Sequence, residues 1–165
     1  MLPSPFQASD TRGEYQVTQT LTEEAIFKMA NYLVKQRLRK GRTVSSSDTC
    51  VSHLQSQLQT MEREVFGLLL LDQQHRIISQ DILFTGTINQ ASVYPREIVK
   101  SALQNNAAAV ILFHNHPSGC IQPSYADDQL TQQIKSTLAL IEVRVLDHLI
   151  LGTDGHYSYA QTGKL

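Results

Sequence analysis

A chain of 165 residues, 41% hydrophobic and 18% charged, has the length and apolar content of one globular domain with a real core. Its formal net charge of -1 excludes a global positive field that would gather nucleic acid or an anionic membrane surface, so any such binding must be local. Two cysteines, Cys50 and Cys120, are too few for a disulfide framework and suit a reducing compartment, although a single pairing between them stays open.

Residues 1–10 lack the basic start and apolar run of a secretory signal, and no segment approaches the roughly 20 apolar residues of a membrane span, so a cytoplasmic protein is expected. Residues 1–19, with Pro3, Pro5 and Gly13, show weak periodicity and read as an extended or mobile lead-in. The capping-box pattern Thr20-Leu21-Thr22-Glu23 opens a helix with Ile26, Met29, Ala30, Leu33, Val34 and Leu38 at helical spacing, ending near Gly41. Lys35, Arg37, Arg39, Lys40 and Arg42 crowd its end. Cations that complement a helix C-terminus are the commoner reason for such a cluster, and a nucleic-acid footprint is the alternative.

A second helix is expected from the Ser47/Asp48 cap, with Val51, Leu54 and Leu58 on one face. The pattern then changes. Val65 to Leu71 is an almost unbroken apolar run, and Arg76 to Phe84 follows it across Asp72-Gln73-Gln74-His75, which predicts a hairpin of buried strands. Pro95 suits the first turn of a helix carrying Ile98, Val99, Ala102 and Leu103, and Ala107 to Phe113 reads as a central strand. A helix with Leu130, Ile134 and Leu138 comes next. Final strands follow at Ile141, Val143, Val145 and Leu149 to Leu151, with Tyr157 to Tyr159 as an edge. The order predicts a mixed α and β fold around one sheet.

The stretch between the central strand and the following helix carries the chemistry. His114 and His116 are two apart at the end of an extended segment, so their imidazoles project to one side and can meet one metal ion. A catalytic zinc commonly takes three protein ligands and a water. Asp127 is the natural third ligand, because Ser124 makes a good N-cap after Pro123 and sets Asp127 in the first helical turn. Each feature alone has a plainer account, a structural histidine or a simple helix cap. Their coincidence at a strand end across a Gly/Pro loop favours a metal site.

The spacing at His114, His116, Ser124 and Asp127 resembles the JAMM (MPN+) metalloprotease signature. The words HNHPSG at His114 to Gly119, Pro95-Arg96-Glu97 and Leu146-Asp147-His148 are similar to the RadC-like branch, over roughly Asp48 to Gly163. That resemblance implies a JAMM/MPN-like mixed sheet flanked by helices over 44–165, preceded by an N-terminal lead-in and helix over 1–43. It implies zinc bound by His114, His116 and Asp127, a glutamate before an apolar strand as general base, and Ser124 as an oxyanion donor. The glutamate that fits is Glu64, with Glu62 and Glu97 as rivals; the first turn of a helix already accounts for Glu97.

The implied activity is a zinc-dependent peptidase or isopeptidase acting on a protein or peptide. The alternative is a DNA-associated accessory protein in repair with an ancillary metal site. Longer RadC-like proteins carry an N-terminal region of helix-hairpin-helix character, and the first 60 or so residues here hold only a reduced helical part, which weakens that alternative. Cys120 is an alternative zinc ligand, although the JAMM pattern needs no cysteine. Asp147-His148, inside an apolar strand pattern, is expected to be a structural pair hydrogen-bonded at the sheet, with a carboxylate and histidine supporting the metal ligands as the alternative. A zinc deaminase would need a His-x-Glu word and a Pro-Cys-x-x-Cys pair, and neither occurs.

Overall fold

Long runs of apolar residues without alternation need cover on both faces, and the sheet of this protein supplies it. The computed structural model describes residues 2–11, 14–37, 43–44, 47–58, 61–86, 93–153 and 155–165. The chain runs through β1 (Phe6–Ala8), β2 (Tyr15–Val17), α1 (Glu23–Arg37), α2 (Ser47–Leu58), β3 (Val65–Leu71) and β4 (Ile77–Thr85). It continues through α3 (Pro95–Gln104), β5 (Ala109–Asn115), α4 (Tyr125–Ala139), β6 (Arg144–Gly152) and β7 (Gly155–Ser158). The main sheet has the order β4-β3-β5-β6-β7, and only the β5 and β6 pairing is parallel.

Every residue of β3 and of β5 is buried, because helices cover both sides of these two inner strands. On one side Cys50, Val51, Leu54 and Leu58 of α2 pack on Val65, Leu69, Ile111, Phe113 and Leu149. On the other, Ile98 and Ala102 of α3 and Ile134 and Leu138 of α4 pack on Phe66, Leu68, Val110 and Leu112. The expected mixed α and β fold around a helix-flanked sheet is what forms. Asp72 builds the β3-β4 turn by accepting from the backbone N–H groups of Gln74 and Arg76, which lets His75 take a φ of 56°.

Several expectations need correction. Residues in the lead-in form a small antiparallel pair, β1 on β2, whose strands of three residues are too short to show alternation. The first helix is capped by Thr22, not Thr20: its hydroxyl accepts from the Ala25 N–H at 3.2 Å. Of that helix's apolar stripe Met29 is buried, whereas Ile26 is 51% exposed. Leu103 of α3 is likewise exposed. Cys50 and Cys120 are both free thiols, the first buried and the second exposed. Gly41 and the basic residues Arg39, Lys40 and Arg42 lie outside the described residues, so the helix end and the basic cluster assigned there are not placed. Among the described residues no helix is long and apolar enough to cross a membrane.

Candidate metal centre

Strand β5 ends its apolar run with polar residues, and the geometry shows why. His114 is 1% exposed, at the end of β5, and His116 follows two residues on, on the same side of the chain. Their Nε2 atoms lie 3.0 Å apart. Asp127, in the first turn of α4, places Oδ1 3.3 Å from His114 Nε2 and Oδ2 3.7 Å from His116 Nε2. Among the described residues these three form the one group able to hold a metal ion, with donor atoms all within 4.8 Å of one another.

The cap of α4 sets the carboxylate. Ser124 accepts from the Asp127 N–H at 3.1 Å, and Asp127 Oδ2 accepts from the Ser124 N–H at 2.7 Å and from its hydroxyl at 2.6 Å. Oδ2 is thus occupied by the cap, and Oδ1 is the oxygen left to face His114. Burial of Asp127 opposes its charge, but hydrogen bonding with His114, His116 and Ser124 prevails and holds its carboxyl far below the usual carboxylate range. The hydrogen bond with Asp127 raises the His116 pKa above 6.5 against the opposing effect of burial, helped by the Cys120 carbonyl and the charge of Glu64.

The antiparallel β3-β5 register runs unshifted from Leu71 with Ala109 to Phe66 with His114, and Glu64, two residues before Phe66, lies close enough to His116 for its charge to act there. Asn115, between the two histidines and 3% exposed, fixes that position. Its Oδ1 accepts from the Val65 N–H at 2.8 Å and its Nδ2 donates to the Arg63 carbonyl at 3.2 Å, so it grips the backbone on both sides of Glu64. Glu62 is exposed, and Glu97 is engaged by Arg96 and Lys100 on the surface of α3. Cys120 contributes its backbone: the His116 Nδ1–H donates to its carbonyl at 2.6 Å, which leaves Nε2 as the metal-facing nitrogen.

Asp147 and His148 part company, because adjacent residues of a strand face opposite sides. Asp147 accepts from the His148 N–H, the Ser158 hydroxyl and the Ala160 N–H. His148, fully buried, turns its ring to the metal group: its Nε2 lies 2.8 Å from His114 Nδ1 and its Nδ1 lies 2.6 Å from the Thr131 hydroxyl. Burial first, then the neighbouring His114, pushes its pKa well below 6.5, so it is neutral. Asn115 and Thr131 are the residues whose contribution the sequence did not reveal, and His148 takes the supporting place that was the less favoured of its two readings. A polar side chain inside a run of buried strand residues was the available signal for His148.

The loop between the histidines and α4 is seated by two glycines. Gly119 has a φ of 83° and donates its N–H to the His116 carbonyl at 2.9 Å. A methyl group on Gly152 would meet the Gly119 carbonyl oxygen and lie 2.8 Å from Ile121 Cγ2. Gly152→Ala should therefore lift this loop from β6, lowering stability by roughly 1–3 kcal/mol and weakening metal binding without touching a ligand. Urea unfolding and a zinc titration of the variant check both effects.

Residues 44–164 match the family model described as the RadC-like JAB domain. Curated relatives include a "UPF0758 protein" of Histophilus somni (strain 2336), 47% identical over 147 residues, covering 89% of this chain and 66% of that protein. Another, of Ectopseudomonas mendocina (strain ymp), is 50% identical over 140 residues, covering 85% of this chain and 62% of that protein. A third, "UPF0758 protein NTHI1125" of Haemophilus influenzae (strain 86-028NP), is 48% identical over 145 residues, with 88% and 66% covered. The chain thus spans 62% to 66% of the length of these relatives. With the matched segment taking in both inner strands, the paired histidines and the capped aspartate, the chain belongs to the RadC-like JAB domain family.

Proposed function

We propose that this protein is a zinc-dependent metallohydrolase that cleaves an amide bond in a protein or peptide. The observation that carries this reading is the convergence of His114 Nε2, His116 Nε2 and Asp127 Oδ1 at the end of β5, with the charge of Glu64 reaching His116. Two imidazole nitrogens and one carboxylate oxygen suit zinc, and three protein ligands leave a position open. Zinc held there supplies Lewis-acid polarisation of a carbonyl and a water of lowered pKa.

The chain's own residues do the rest. Glu64, half-buried and gripped through its flanking backbone, takes the proton of the attacking water and passes it to the leaving amine. Ser124 donates its hydroxyl proton to Asp127 Oδ2 in this structure, and the Ser124 N–H holds the same oxygen. The carboxylate therefore stays in place when the hydroxyl turns to a developing oxyanion. The sparse cysteines, both free thiols, support a cytoplasmic setting for this chemistry.

The test is a zinc-loaded sample incubated with a mixed peptide pool and with lysine-branched isopeptides, read by mass spectrometry. Chelator-sensitive cleavage is expected, and an intact pool with folded, zinc-loaded protein would refute the hydrolase reading. Zinc affinity should also depend on pH in a stated direction. Asp127 keeps His116 protonated to a higher pH than an ordinary histidine, and zinc must displace that proton. Affinity should rise by about tenfold per pH unit below the raised His116 pKa and level off above it. Zinc titrations across roughly pH 5.5 to 8 check this, and a flat profile would count against His116 as a ligand.

A further inference from the structure

We infer that His148 and Thr131 are positioning residues: with His114 they form a directional hydrogen-bond relay that fixes the His114 tautomer and delivers its Nε2 unprotonated to the metal. This rests on the proposed zinc site, and it concerns residues of β6 and α4 that are no part of the ligand set.

The direction follows from proton counting. The relay runs from His114 Nδ1 to His148 Nε2 at 2.8 Å, from His148 Nδ1 to the Thr131 hydroxyl at 2.6 Å, and from that hydroxyl to the Asp127 backbone carbonyl at 2.6 Å. The last group can only accept, so Thr131 spends its single proton there. Its oxygen must then accept from His148 Nδ1; a ring with no exposed surface, whose nitrogens meet Thr131 and His114 and no carboxylate, holds that one proton and leaves Nε2 as an acceptor. His114 must in turn donate from Nδ1. With Nδ1 donating to His148, Nε2 is the nitrogen His114 has left to offer a metal, and it faces His116 and Asp127. The reversed relay would leave two oxygens facing each other at 2.6 Å with no proton between them.

Geometry holds the relay rigid. The His148 ring stacks on Tyr159 with centroids 5.0 Å apart and planes 19° from parallel, and it meets Phe66 edge-on at 5.7 Å. Thr131 and His148 have no exposed surface. The relay also joins a ligand on β5 to the backbone of a ligand on α4, so it fixes the spacing between His114 and Asp127 as well as the tautomer. Histidine ligands commonly need such a partner on the other ring nitrogen, and its loss typically weakens metal binding by roughly ten- to a hundredfold.

The experiment pairs long-range proton–nitrogen NMR of histidine-labelled, metal-free protein with zinc titration of wild type, Thr131→Val and Thr131→Ser. Wild type is expected to show Nδ1–H tautomers at both His114 and His148. Thr131→Val, which keeps the shape but removes the hydroxyl, should lose that single tautomer state and bind zinc roughly ten- to a hundredfold more weakly, while Thr131→Ser restores both. A merely structural threonine would change the melting temperature and leave the tautomers alone. His114 in the Nε2–H form in wild type overturns the relay, whether or not the valine variant folds. So does a folded valine variant with wild-type tautomers and affinity. If wild type binds no zinc, the hydrolase reading fails, and the tautomers still decide the relay.

Discussion

Purified protein is expected to carry about one zinc per chain, and the His114→Ala/His116→Ala variant none, by elemental analysis after dialysis. The effect should be all or nothing, because the variant leaves a single carboxylate oxygen where three donors converge within 4.8 Å. The two substitutions differ in what they risk. His116 lies at the rim with 17% of its side chain exposed, so its removal should leave folding intact. His114 is buried, and its loss leaves His148 Nε2 without its partner, at a cost of about 1–3 kcal/mol. That is survivable for a domain of ordinary stability, but it makes a melting curve part of the measurement. His116→Ala alone is the cleaner control. A folded wild-type protein that acquires no zinc when zinc is added would remove the metal centre, and with it the hydrolase.

The strands that position this centre were legible because burial on both faces leaves a mark in sequence: Val65–Leu71 and Ala109–Asn115 are unbroken apolar runs until the site begins. The convergence of His114, His116 and Asp127, with its Ser124 cap, was legible for a related reason. His114, His116, Ser124 and Asp127 lie within fourteen consecutive residues, where strand alternation and helix capping are local rules. Helix α1 shows what such rules omit. Periodicity says which residues share its face, but not whether anything packs there, and Ile26 stands more than half exposed.

The supporting residues were hidden for the opposite reason. His148 comes to His114 through the parallel pairing of β5 with β6, and Thr131 comes to both from the second turn of α4, so no local pattern links the three. Asn115 was in plain view inside HNHPSG. Its task of holding Arg63 and Val65 nevertheless spans about fifty residues of chain and depends on the β3-β5 register. Asp147-His148 reads as a pair in sequence only because adjacency along a strand is mistaken for adjacency of side chains.

Glu64→Gln should lower hydrolysis by roughly 10²- to 10⁴-fold while the protein keeps its zinc. The amide has nearly the shape of the carboxylate, so the backbone grip of Asn115 on Arg63 and Val65 is preserved, and the variant removes a proton acceptor rather than a structural contact. Zinc retention follows from the donor set, which Glu64 does not enter. The electrostatics sharpen the expectation, because the charge of Glu64 contributes to the raised His116 pKa. Removing that charge eases displacement of the His116 proton but also removes an attraction for the dication, so zinc should stay bound with an affinity close to that of wild type. Parallel measurements of turnover and zinc affinity separate the two roles. A variant with full turnover would move the base to another group, and one that loses turnover together with zinc would make Glu64 a prop of the metal site instead. Loss of turnover with zinc retained is the expected outcome, since Glu64 acts on His116 through its charge and stands outside the group of His114, His116 and Asp127.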